Sequence, residues 1–373
     1  MPALPVSDPE AIGFDATRLE RAFGMLDSWT ESGEVPAAGV CVGRRGAAVA
    51  PRIFGRMTAE AESPPVRPDT LFLVASITKP VTVTAAMMLV ESGAIALDDR
   101  VAEFIPEFGQ NGKQDVRLRH LMTHTSGLPD MLPNNPALRA AHAPLSRFID
   151  LVTRLPLAFP PGTQVSYQSM GTAVLADVVR RVAGVDFGEF LRANVFDPLG
   201  MADTTLGRSG PLRDRVAAVR LDAGQRDTDW NWNSPYWLDF GAPWGGLITS
   251  PADLARFCLM TLGRGTFGGV RLLSPATVDA MTRNQLEAMP GVPEVERRCR
   301  PWGLGWRLNW PGRSAHFGDL LGPRAYGHWG ATGTLCWLDP DRDAFLILLT
   351  TEPAGDEGRY LARFSNAVAA AIV

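Results

Sequence analysis

Runs that read as β-strands lie near both ends of the chain, with long helical patterns between them, and this distribution restricts the fold more than any other feature. Ala37 to Val42 and Ala47 to Phe54 are small or β-branched runs around Gly43-Arg44-Arg45-Gly46, which predicts a hairpin. Thr334 to Leu338 and Phe345 to Thr351 flank the turn-rich Asp339-Pro340-Asp341-Arg342-Asp343, which predicts another. The economical solution is an α+β fold in which the N- and C-terminal strands form one antiparallel sheet, flanked by helices over Ala16 to Ser32 and Gly358 to Val373, with a helical region inserted. At 373 residues the chain exceeds the usual single core, so we divide it into a discontinuous α/β domain (residues 1–90 and 235–373) and an all-helical domain (residues 91–234).

A helix is predicted from Ser76 to Ser92, with Val81, Ala85 and Leu89 at four-residue spacing, Pro80 near its first turn and Gly93 as its stop. Others span Thr172 to Ala183, ended by Gly184, and Phe187 to Val195, ended before Pro198. Ser250-Pro251 and Ser274-Pro275 predict two more, because serine caps a helix and proline in the first turn lacks only an amide hydrogen that has no helical acceptor.

Composition removes several classes of function. Acidic residues number 40 against 36 basic ones, a net charge of -4, so nothing favours a nucleic-acid backbone. The stretch from Met1 to Phe14 is broken by prolines and acids and does not read as a secretory signal. No apolar run approaches the roughly 18 residues of a membrane span, and a cytoplasmic location is expected. Cys41, Cys258, Cys299 and Cys336 are scattered and read as buried free thiols rather than a zinc site. Among the basic residues only two are lysines, Lys79 and Lys113, and lysine, unlike arginine, can give up its proton.

Three motifs carry candidate chemistry. Ser76-Ile77-Thr78-Lys79 opens the first long helix directly after the apolar run Leu71 to Ala75. A separation of three puts hydroxyl and amine on one helix face, as a nucleophile and its base require, and a helix start supplies free amides that favour an oxyanion. Burial would bring the neutral lysine within reach. The plainer reading is a capping serine beside a solvated lysine. Tyr167-Gln168-Ser169 precedes the helix from Thr172; a phenol beside a lysine ammonium would have its anion favoured and could move the serine proton, or it could simply pack against a loop. His328-Trp329-Gly330-Ala331 precedes the strand at Thr334, where an edge amide could complete an oxyanion hole and glycine allows close approach; a glycine-rich turn into a core strand is the alternative.

In order and placement the three motifs resemble those of the serine β-lactamase and penicillin-recognising family: Ser-x-x-Lys on a central helix, Tyr-x-Asn on the helical domain, Lys-Thr-Gly on a sheet strand. His120-Leu121-Met122-Thr123-His124-Thr125-Ser126-Gly127-Leu128 and Phe196-Asp197-Pro198-Leu199-Gly200-Met201 are similar to stretches of class C β-lactamases and family VIII carboxylesterases. The resemblance implies a β-lactamase/transpeptidase-like fold, Ser76 as acylated nucleophile, Lys79 and Tyr167 as proton-transfer groups, and an oxyanion held by the amides of Ser76 and Ala331. It leaves open which of Lys79 and Tyr167 is the base. No cofactor or metal is implied.

Two departures point toward the esterase branch. Ser169 stands where the family has asparagine, and His328-Trp329 replaces Lys-Thr, so binding of an anionic β-lactam is expected to be poor. Ser169, His328, Trp329, Gly330 and Ala331 are expected to meet substrate. Trp237 and Trp244, within the cluster Trp230, Trp232, Tyr236, Trp237, Phe240 and Trp244, are expected to line an apolar acyl or alcohol pocket. The expected substrate is a small ester or amide; β-lactam or D-aminoacyl peptide hydrolysis and acyl transfer use the same scaffold, and the oligomeric state is open. A catalytically silent binding protein is the competing reading, against which stands the presence of Ser76, Lys79 and Tyr167 together.

Other signals are discounted. His120 and His124 have metal-pair spacing but no apparent third ligand. Gly263 to Gly268 matches a dinucleotide fingerprint yet follows a predicted helix, and no Gly-x-Ser-x-Gly elbow occurs. His142 and His316 have no evident partners in the sequence.

Overall fold

The computed structural model describes residues 2–310, 316–355 and 358–373. Helix α1 (Ala16–Glu31) starts where the Asp15 side chain accepts from the Arg18 amide at 3.0 Å, and it buries Leu19, Ala22, Phe23 and Leu26 as one stripe. β1 (Ala37–Arg44), β2 (Ala47–Ala48) and β3 (Arg52–Gly55) follow. The single strand expected over Ala47 to Phe54 is therefore split, and Pro51, which has no amide hydrogen to give a ladder, lies in the break. The C-terminal half supplies β4 (Arg307–Leu308), β5 (Tyr326–Gly330), β6 (Thr334–Asp339) and β7 (Ala344–Thr350).

These strands form one antiparallel sheet in the order β2-β1-β7-β6-β5-β4, with β3 also on β1. Ala38 faces Thr350 and Arg44 faces Ala344, so the two ends of the chain meet at the sheet centre. β7 is buried on both faces and alternates between them. Leu346 and Leu348 join α1 and α5 (Arg359–Ala369) on one side, whereas Phe345, Ile347 and Leu349 join the larger core on the other.

On that other side run α2 (Thr78–Glu91), which packs on α3 (Ser169–Ala183), and α4 (Pro251–Leu262), which packs on β1 and β7. α2 is buried without a break from Thr78 to Met87, ten of its fourteen residues, as a helix enclosed by neighbours must be. α3 begins three residues before the expected Thr172, because Asp130 receives the Ser169 amide on Oδ1 at 2.9 Å and so completes the helix start. Both Ser-Pro starts form as read: Ser250 and Ser274 accept from the amides of Asp253 and Thr277.

Two expectations need correction. Residues 91–234 are not all helical: Thr205–Leu206 pairs with Leu247–Thr249, which pairs with Phe72–Leu73, and the Ala217 amide reaches Leu71 O at 2.9 Å. The backbone of Leu71 to Leu73 is buried, and the returning chain supplies the partners it needs. Of the four free thiols, Cys41, Cys258 and Cys336 are buried, but Cys299 ends a polar surface helix and is exposed. No helix among the described residues is long and apolar enough to cross a membrane.

Candidate active site

Phe72–Leu73 leads into a tight helical turn, Ala75–Ile77, that carries Ser76 to the N-terminus of α2. To make the corner, Ala75 adopts φ 46°, a left-handed conformation that costs a residue with a Cβ about 1–2 kcal/mol. Four hydrogen bonds hold it there. Thr332 Oγ1 donates to Leu73 O at 2.7 Å, Thr334 Oγ1 to Val74 O at 2.9 Å and Thr78 Oγ1 to Ala75 O at 2.6 Å; Thr78 Oγ1 in turn accepts from the Leu247 amide at 3.0 Å. Gly330, at the end of β5, presses on the same corner: a Cβ there would lie 2.3 Å from both Val74 O and Thr334 Oγ1. The sheet thus fixes Ser76 by direct contact with the three residues before it.

One helical turn on, Lys79 is buried, and its Nζ donates to Ser76 Oγ at 3.0 Å and to Trp244 O at 3.0 Å. Burial pulls its pKa from 10.5 down to about 7, opposed only by the charge of Asp130. Nζ also sits 4.6 Å from the centre of the Tyr167 ring. The Tyr167 hydroxyl shares a hydrogen bond with Ser76. Its phenol, expected to favour the anion beside a lysine charge, is instead pushed above the ordinary tyrosine value, because burial, helped by the negative charge of Asp130, outweighs the Ser76 bond. His124 packs against Tyr167 with the rings tilted and their centres 4.6 Å apart, and its Nδ1 accepts from the Gln168 amide at 3.2 Å, steadying the segment that presents the phenol. His120 instead takes the Arg117 amide on Nδ1, so the two histidines spaced like a metal pair hold separate stretches of backbone.

Ser76 and Tyr167 open onto a cavity of about 530 Å³, whose wall also includes Ser169, Trp237, Trp244, Trp329, Gly330 and Ala331. His328 is the exception among the residues expected to meet substrate. It is fully buried behind that wall, with Nδ1 2.7 Å from Trp329 O, because alternate residues of β5 point to opposite faces and Trp329 takes the cavity side. Burial and the Lys79 charge lower its pKa to about 3, so it adds no positive charge to the site. Of the aromatic cluster, Trp232, Trp237 and Trp244 reach the cavity, while Tyr236 and Phe240 line a separate depression with His142.

Sequence reasoning missed Asp130, Asn135, Arg139 and His316, all on the cavity wall, and the positioning threonines Thr332 and Thr334. His316 stacks on Trp329 at 4.9 Å. The stretch His120 to Leu128 was the nearest available signal for Asp130; Asn135 and Arg139 lie on a short helix (Asn135–Ala140) with no distinguishing pattern.

Residues 19–370 match the Beta-lactamase family. The chain is 24% identical to a penicillin-binding-protein homologue from Caulobacter crescentus, with TM-score 0.80, over 95% of this chain and 98% of that one. A family VIII carboxylesterase superposes with TM-score 0.79 at 22% identity, over 98% and 99% of the two chains. At these identities the two structures speak to the fold alone. A Salmonella heidelberg protein that bears the provisional name D-alanyl-D-alanine carboxypeptidase is 26% identical over 94% of this chain and 87% of its own length.

Proposed function

The chain belongs to the Beta-lactamase family of serine hydrolases, and on that premise we propose that it hydrolyses carboxylic esters through an acyl-enzyme on Ser76. The observation that carries this reading is the 3.0 Å contact between Ser76 Oγ and a buried lysine whose pKa lies near 7. Neutral Lys79 takes the Ser76 proton as Oγ bonds to the ester carbonyl carbon. The amides of Ser76 and Ala331 receive the oxyanion, and the free amides of a helix start suit that role. When the carbon–oxygen bond to the alcohol breaks, Tyr167 protonates the departing oxygen and is reprotonated by the Lys79 ammonium. A phenol held above its ordinary pKa supports this division, with lysine as base and tyrosine as relay. Water then attacks the acyl carbon, its proton passes back through the same pair, and the acid leaves with Ser76 restored. No step calls on a cofactor.

The ester reading over β-lactam hydrolysis rests on the third motif. On the sheet strand, where the family's lysine meets a β-lactam carboxylate beside the nucleophile, His328 is neutral and behind the wall, so a carboxylate in that position goes unmatched. The provisional name of the Salmonella relative favours D-aminoacyl peptides as the second reading. The four cysteines are free thiols, Cys258 and Cys336 with their sulfurs only 3.4 Å apart, and a reducing, cytoplasmic location is in keeping with that. The test is mass spectrometry after brief exposure to a chromogenic short-chain ester. An acyl adduct is expected on the Ser76 peptide, absent in Ser76→Ala; turnover with Ser76 unmodified contradicts the proposal, and faster release from a D-Ala-D-Ala peptide than from any ester selects the second reading.

A further inference from the structure

One wall of the cavity carries polar groups that the protein leaves unused. Asn135 and Arg139 are one helical turn apart on the short helix Asn135–Ala140, so their side chains share a face, and both line the cavity with Trp237. Arg139 is only 6% exposed, and its guanidinium lies 4.1 Å from the centre of the Trp237 ring and 5.1 Å from that of Trp230. Of its five N–H donors, one from Nη2 goes to Trp230 O at 2.8 Å; Nε is buried with no acceptor, and among the described residues no carboxylate pairs with it. Burial holds its pKa at about 10, with only the hydroxyl of Tyr236 acting in its favour, so it stays charged at neutral pH. Two further buried polar atoms on this wall, Trp237 Nε1 and Asn135 Oδ1, are also without a partner. The asparagine amide can turn over without change of shape and present its NH2 instead.

A buried cation with no internal counter-charge costs several kcal/mol unless something neutralises it, and three neighbouring groups that can all donate call for an acceptor-rich anion. Resting on the serine-hydrolase reading, we propose that the substrate bears a carboxylate, bound by Arg139 with help from Trp237 and Asn135, so that the enzyme prefers anionic esters to neutral ones of the same shape. Guanidinium and carboxylate match as a two-pronged pair, and the aromatic rings that flank Arg139 fix the plane of the fork. Anion recognition has thus moved from the sheet strand, where His328 is neutral, to the helical wall.

The test compares kcat/KM for matched pairs of esters. The 4-nitrophenyl monoester of glutaric acid against 4-nitrophenyl pentanoate puts the charge on the acyl side; the butyrate ester of 4-hydroxybenzoate against phenyl butyrate puts it on the alcohol side. Wild type is expected to favour the anionic member of one pair by about 10- to 100-fold, the worth of one charged hydrogen-bond pair. In Arg139→Gln that ratio should fall to near one, and Arg139→Lys should restore part of it. A ratio near one in wild type, or one that survives Arg139→Gln, overturns the proposal. Should Arg139→Gln not fold, Trp237→Phe keeps an aromatic ring beside Arg139 but removes the indole N–H; a severalfold fall in the ratio supports the assignment and an unchanged ratio refutes it. Calorimetry of glutarate with Ser76→Ala separates this proposal from the one beneath it. Binding that the further change Arg139→Gln abolishes upholds the anion site even if no ester is turned over, and no binding refutes the site even if esters are.

Discussion

The two sides of the cavity are finished to different degrees. On the sheet side the corner that carries Ser76 is tied down by Thr332, Thr334 and Thr78, and Lys79 has two acceptors. Among the described residues the atoms left without a partner near that side, His328 Nε2, His124 Nε2 and Trp306 Nε1, belong to side chains that do not line the cavity. On the helical side Asn135, Arg139 and Trp237 bury polar atoms with no partner among the described residues. A buried polar group without a partner is expensive, so a wall with three of them is complete only when something else occupies it. The contrast separates reaction from selection: the corner determines what is done to the substrate, and the wall determines which substrate it is.

Gly330 offers the sharpest way to break the finished side. A methyl group there would sit 2.3 Å from Val74 O and would have to push the strained turn, and Ser76 with it, away from Lys79. Displacements of that order cost about 100-fold in rate, so Gly330→Ala should lower kcat/KM by about that factor for anionic and neutral esters alike. If the loss instead depends on substrate charge, the two sides are not independent. A smaller effect is expected from Thr334→Val, which keeps the shape but leaves Val74 O without its side-chain donor. Urea unfolding should show a loss of about 1–3 kcal/mol, with the anionic-to-neutral ratio unchanged. A stability equal to wild type would mean that the threonines do not hold the corner.

Much of this arrangement was legible in the sequence because it rests on local rules. The Ser-Pro caps, the Gly184 stop, the period-two runs and the three-residue spacing of Ser76 and Lys79 each speak through near neighbours. The misreadings have a common cause in long-range packing. For residues 326–330 the sequence leaves a strand edge and a glycine-rich turn both open, because glycine and histidine are poor strand signals; pairing of His328 with Cys336 across the sheet decides for the strand. The same pairing sent His328 behind the wall, since strand register sets which side chains face the cavity. Arg139 stayed unnoticed for the opposite reason: one arginine among many carries no pattern, and only the tertiary structure reveals that its charge is unmatched. The Tyr167 phenol departs from expectation for the same reason: sequence puts it beside a lysine, whereas burial, which only the packed structure shows, acts on both groups and sets the direction of each shift.

The central claim is that Lys79 can lose its proton near neutrality while touching Ser76. The chain has only two lysines, so selective isotope labelling gives two side-chain NMR signals, and the one missing in Lys79→Met belongs to Lys79. Because burial lowers this pKa, the group is neutral above the midpoint and charged below it, and kcat/KM should fall tenfold per pH unit on the acid side. The account predicts a Lys79 midpoint of about 7. A signal that stays charged up to the ordinary lysine value of about 10.4 would contradict it.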